Sequence, residues 1–163
     1  MAKKESPANP DGLAKEIGKK EPFDLLEREV FLNLARTFSI VSTEFEKLFK
    51  SFGITSVQYN ALRILRGHGA PVSIYQIGEQ MITRQPDMPR LVDRLVGMEL
   101  AAKQRCENDR RVVWVTLTTK GKSLLKKIDQ PLDQLHRKRL EHMSKAQIRS
   151  LNDLLWLARH PDT

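Results

Sequence analysis

The apolar positions of the chain follow two periods. Phe23, Leu26, Val30, Leu34, Phe38, Val41, Phe45, Leu48 and Phe52 recur at three- and four-residue steps and predict one long helix from about Asp24 to Phe52. At about 1.5 Å per residue it would be roughly 40 Å long and would need a partner along its apolar side. Ser51-Phe52-Gly53-Ile54 supplies a glycine stop. Thr55 or Ser56 then caps a helix carrying Val57, Tyr59, Leu62, Ile64 and Leu65, which Gly67, Gly69 and Pro71 end. Ser73 with Gln76 three residues on forms a capping box for a short helix burying Ile74, Ile77 and Met81. Residues Ile82-Thr83-Arg84-Gln85-Pro86 read as a turn, and a further helix from about Met88 to Met98 buries Leu91, Val92, Leu95 and Met98.

After Leu100 the period drops to two. Ala101 to Glu107 and Arg111 to Leu117 flank a turn at Asn108-Asp109-Arg110, which predicts a β-hairpin with Val113, Val115 and Leu117 on one face. Thr118 or Thr119 caps a helix whose seam is Leu124, Leu125, Ile128, Leu132, Leu135 and Leu140, with a kink expected at Pro131. Ser144 caps a last helix with Ile148, Leu151, Leu154, Leu155 and Leu157. The expected fold is therefore mainly α with a small β-hairpin: a winged helix-turn-helix domain flanked by long helices. In that arrangement the second helix of the pair enters the major groove of a duplex and the hairpin reaches the neighbouring minor groove.

Charge points the same way. The 163 residues carry 28 Lys and Arg against 20 Asp and Glu, a net charge of +8, which favours a polyanionic partner, nucleic acid first. Hydrophobic residues at 40% fit a globular chain rather than a disordered one. No apolar run is long enough for a membrane span, the N-terminus lacks the apolar core of a secretory signal, and a single Cys excludes an internal disulfide framework. A cytoplasmic protein is expected.

The stretch Arg90-Leu91-Val92-Asp93-Arg94-Leu95, followed by Asp109-Arg110-Arg111, then Val115-Thr116-Leu117-Thr118 and Gly121, resembles the MarR family of bacterial winged-helix transcription regulators. Its wing signature D-x-R-x-x-x-V-x-L-T is met at Asp109, Arg111, Val115, Leu117 and Thr118 without a gap. The resemblance covers roughly Phe23 to the C-terminus. It implies a homodimer, usually a repressor, on a pseudo-palindromic operator in double-stranded DNA, in many members released by a small aromatic or lipophilic effector. The expected division is a flexible tail over 1–22, a helical dimerisation region over 23–52 and 119–163, and the DNA-binding domain over 53–118.

Residues divide between roles accordingly. Arg90 and Arg94, four apart, share one exposed face of the recognition helix, and Arg84 and Gln85 sit in the turn before it. Asp87 is an N-cap or a partner for a cytosine amino group, and Met88 stands beside it in the reading set. In the wing, Arg111 resembles the family's minor-groove arginine, with Asp109 directing its guanidinium and Arg105 and Arg110 adding positive charge. The effector crevice the family implies would draw on Phe31, Leu34, Phe38, Tyr59, Leu62, Arg63 and His68, although each has an ordinary core explanation. Two departures from the family stand out. Pro86-Asp87-Met88-Pro89 replaces the usual small hydroxyl residues, and Glu99 replaces a glycine at a position that often needs a left-handed backbone.

Enzyme motifs are absent: there is no phosphate-cradling glycine loop, no H-E-x-x-H and no nucleophile elbow. His68, His136, His142 and His160 make no metal-spaced set with Cys106, so neither a metal nor a cofactor is expected. Cys106, beside Arg105 in the wing, is a candidate redox residue, with an ordinary strand role favoured. The rival function is a winged-helix protein-interaction module with weak or no DNA binding.

Overall fold

The computed structural model describes residues 12–107, 109 and 111–161. Seven helices and three strands follow in the order α1 (Gly12–Glu16), α2 (Leu26–Ser51), α3 (Ser56–His68), β1 (Val72–Ser73), α4 (Ile74–Glu79), α5 (Met88–Gly97), β2 (Ala101–Arg105), β3 (Val113–Leu117), α6 (Thr119–Leu140) and α7 (Lys145–Arg159). The chain falls into two compact units, one up to Glu44 and one from Phe45 on. In the first, α1 is a short helix within the segment expected to be a flexible tail. Leu13 is buried, and Glu16 accepts a hydrogen bond from Arg36 Nε at 2.6 Å.

Local signals in the second unit set the element ends. Gly53, at φ 75°, closes α2 by donating to Lys50 O at 3.0 Å, while Ile54 N–H reaches Phe49 O at 3.1 Å. Thr55 caps α3 in a full capping box with Gln58, and Gly69, left-handed at φ 65°, ends it. Ser73 and Gln76 form the box expected for α4, and Ser144 with Gln147 forms one for α7. The helix α6 continues across Pro131, whose ring nitrogen has no proton to donate.

The hairpin pairs antiparallel with Arg105 opposite Val113 and Ala101 opposite Leu117. A third strand joins it: β1 lies along the other edge of β3, with Val72 opposite Val115. Two residues are too short for a period to show, so the sequence pattern reveals only the hairpin. Val115, central in the sheet, is fully buried with Val72, Leu62, Leu65, Ile77, Val92, Leu95, Leu125 and Ile128. That core fixes α3, α4 and α5 on the sheet. Gly121 allows the closest approach within it: a methyl group there would collide with Leu100 O and lie 2.7 Å from Leu117 Cδ1.

Candidate nucleic-acid interface

The helix pair α4–α5 and the hairpin β2–β3 carry the residues singled out for DNA. Asp87 is the N-cap of α5 and accepts a hydrogen bond from Arg90 N–H at 3.0 Å. Pro89 therefore falls in the first helical turn, where no intrahelical partner waits for its missing amide. Capping, rather than base contact, accounts for Asp87. Arg90 and Arg94 are both exposed, while Leu91, Val92 and Leu95 fill the opposite face. Met88 is only 8% exposed and belongs to the core, so its place among the DNA-reading residues is corrected. It is the first residue of the inward face of the helix, a placement that the unusual Pro-Asp-Met-Pro stretch disguised.

In the turn, Arg84 is exposed, and Gln85 Nε2 donates to Thr83 O at 3.1 Å, within the turn itself. In the wing, Arg105 and Arg111 are exposed; Arg110 lies outside the described residues. Asp109 acts differently from expectation. Its Oδ1 accepts from the Arg111 backbone N–H at 2.9 Å, and its carbonyl accepts from Val112 N–H at 2.9 Å. The carboxylate thus shapes the hairpin turn that presents Arg111 rather than gripping the guanidinium. Cys106 is half-buried, and its N–H donates to Val112 O at 2.9 Å, as a strand residue's does.

Electrostatics separate two classes of cation here. Lys103 of β2 pairs with Asp93 of α5, and Lys120 Nζ reaches Glu99 at 2.7 Å. Arg84, Arg90, Arg94, Arg105 and Arg111 have no carboxylate partner among the described residues. The Asp93–Lys103 pair, which ties the recognition helix to the wing, was invisible to sequence reading because nothing local links residues 93 and 103.

Glu99 has φ 61°, the left-handed conformation expected where the family has glycine. Its neighbours stabilise it: Thr118 Oγ1 donates to Glu99 O at 2.7 Å, and Lys120 holds the carboxylate. The hydrogen bond from Lys120, then its charge, hold the Glu99 carboxyl below its ordinary value. A depressed folded-state value means the pair's contribution is complete above the ordinary carboxylate range and is lost as pH falls through the folded value. We expect carboxyl-detected NMR titration to show Glu99 below the ordinary glutamate value, and Lys120→Met to raise it. The group lies in water, so global stability should change little.

Two of the residues named for an effector share one cleft. Arg63 and His68 line an open cleft of about 280 Å³ with Ile64, Gly67 and Gln80, and His68 Nε2 lies 3.0 Å from Gln80 Oε1. Leu62 is 0% exposed and is a core residue; its assignment to a pocket wall is corrected. It faces inward because α3 turns its other side, with Arg63 and Arg66, to water. Tyr59 stacks on Phe49 at 4.6 Å between ring centres, and burial raises its hydroxyl pKa, so it stays a neutral phenol. Phe31, Leu34 and Phe38 are exposed on α2. Among the described residues no His, Cys, Asp and Glu gather as a metal site, and no helix is long and apolar enough to cross a membrane.

The arrangement recurs in known proteins. A sequence model of the MarR family matches residues 54–113. A solved MarR transcription factor from Planctomyces limnophilus is 36% identical, covers 83% of this chain and 99% of its own, and superposes with a TM-score of 0.65. The chain belongs to the MarR family. MarR-family proteins are transcription regulators rather than enzymes, and the winged helix described above is their DNA-binding fold. The regulator FarR of Neisseria gonorrhoeae is 23% identical over 124 residues, 76% of this chain and 84% of its own. The structure of BpsR from Bordetella bronchiseptica, whose DNA binding is regulated by 6-hydroxynicotinic acid, shares the fold. It is 23% identical with a TM-score of 0.73, and the match covers 80% of this chain and 98% of that one.

Proposed function

We propose that this MarR-family protein is a homodimeric repressor that reads a pseudo-palindromic operator. Each copy sets α5 into a major groove and its hairpin into the adjacent minor groove. The observation that carries this reading is the set of five exposed arginines on the turn, α5 and hairpin that have no carboxylate partner among the described residues. An arginine already paired would have to give up that partner before meeting a phosphate or a guanine edge. These five need not. Residues 53–118 form the reading domain, and 23–52 with 119–163 supply the dimer surface, for α2 and α7 expose apolar stripes among the described residues that a second copy would cover.

The test is equilibrium binding of the full chain to duplexes drawn from its own upstream DNA, at several salt concentrations. Affinity should fall steeply with salt. Arg111→Ala should weaken binding to the selected duplex by about tenfold to a hundredfold. A chain that ignores every duplex while capturing another protein would support the interaction-module alternative.

The cleft beside Arg63 is the proposed seat of an aromatic acid. Arg63 offers a guanidinium for a carboxylate, His68 and Gln80 offer polar ring contacts, and Ile64 supplies an apolar wall. The aromatic acid that regulates BpsR is the precedent for that ligand class.

A further inference from the structure

The inward face of α3 is apolar at Ala61, Leu62, Ile64 and Leu65, yet Gln58 and Asn60 are buried with them. Gln58 is accounted for: its Oε1 accepts from Thr55 N–H at 2.9 Å in the capping box, and its Nε2 lies 3.5 Å from Met98 Sδ. Asn60 is not. It is 7% exposed, its Oδ1 accepts from Ile82 N–H at 2.9 Å, and its Nδ2 has no hydrogen-bond partner among the described residues. A buried amide with an unmet donor is a net liability to a fold, and an apolar side chain of similar size would remove it.

The bond it does make has a particular place. Ile82 opens the turn that leads through Arg84 and Gln85 to α5. Its own side chain is 83% exposed, so packing does not anchor it. Among the described residues, Gln85 bonds only within the turn and Arg84 points no charge at a protein partner. Among the described residues, Asn60 to Ile82 is the one hydrogen bond that joins the segment 82–86 to another element.

We propose that Asn60 is a positioning residue for DNA reading: it pins the turn ahead of α5 to α3, so that Arg84 and the start of the recognition helix meet the duplex already ordered. The role rests on the duplex-binding reading above, and it gives a reason for an amide that the core alone would reject. With the turn pinned, its backbone entropy is spent on folding rather than on binding. Released, the segment must be ordered by the operator, and random DNA, which fixes no register, gains or loses little.

Two substitutions test this, Asn60→Leu and Asn60→Ala, each with three measurements on the full chain. These are the thermal midpoint, amide exchange at Ile82 relative to Leu62, and affinity at one salt concentration for two duplexes. One duplex is that enriched by the parent chain from a random-sequence pool; the other is an unselected random duplex. For Asn60→Leu the midpoint should equal or exceed the parent's, because the orphaned donor is gone. The Ile82 amide should exchange about tenfold faster relative to Leu62, and the selected-to-random affinity ratio should fall by about tenfold, the cost of ordering roughly one further residue. Asn60→Ala should show the same exchange and ratio changes with a lower midpoint. An Ile82 amide as protected as in the parent, or an unchanged affinity ratio, overturns the proposal. If the parent selects no duplex from the pool, the duplex-binding reading fails, and with it the reading role. The exchange ratio then reports separately whether Asn60 holds the turn.

Discussion

Replacing Gly121 with alanine is expected to lower the thermal midpoint by about 5–10 °C. Gly121 is in the first turn of α6, where alanine would normally raise helix stability by about 1 kcal/mol over glycine. Here the new methyl would meet Leu100 O, a backbone atom, and Leu117 Cδ1 at 2.7 Å. A flexible side-chain end moves aside at little cost, but the carbonyl is held in place. Thr118 N–H donates to it at 3.2 Å, and Glu99 next to it is fixed at φ 61°. Overpacking of this kind costs about 1–3 kcal/mol, here toward the upper end, and in a chain of this size each kcal/mol is worth about 2–4 °C. Gly97→Ala is the control. Gly97 ends α5 with nothing within 4 Å of its missing methyl, so its substitution should leave the midpoint unchanged or raise it. Calorimetry of the two variants side by side checks the pair; equal midpoints would remove the close approach at Gly121 as the explanation.

With the pairing proposed above, a charge placed on either exposed apolar stripe should leave single subunits. Leu26, Val30, Leu34 and Phe38 recur every four residues on α2 with Phe31 beside them, and Phe38 is 71% exposed in the isolated chain. Leu151, Leu154 and Leu157 recur every three on α7. Because Phe38 and Leu154 lie open in one chain, Phe38→Glu and Leu154→Glu should leave the folded subunit intact. In a dimer each would bury a carboxylate against apolar side chains, which is strongly unfavourable. Sedimentation should report twice the chain mass for the parent and the chain mass for each variant. Affinity for the selected duplex should fall by about 10²- to 10⁴-fold, since the second reading head no longer binds as part of one body. A parent that sediments as one subunit, or variants that keep full affinity, would refute the paired arrangement.

Much of the architecture is legible in the sequence because its signals are local. The Ser73–Gln76 box, the Gly53 stop and the Asp87 cap each follow from a few adjacent residues, while the left-handed Glu99 follows from the family's glycine at that position. What escapes is long-range. The strand Val72–Ser73 exists only by pairing with β3. Arg66 donates to both oxygens of Asp129, 63 positions on. The polarity of Asn60 has meaning only once Ile82 lies beside it. Site reading is affected in the same way. Charge and spacing place the arginines on exposed faces, whereas Met88 and Leu62 turn inward, because a helix fixes which residues share a face while its neighbours decide which face is buried. At Asp109 the donor differs from the expected one: its oxygen accepts a main-chain proton rather than the Arg111 guanidinium, a choice the side-chain types alone do not make.

The helix α6 spans 22 residues, about 33 Å, and one amide rung is missing at Pro131. Its first turns are bolted to the end of α5 through Thr118, Lys120 and the tight seat of Gly121. The near end of this rod is therefore coupled to the helix pair, so a displacement of its first turns would be felt at the end of α5.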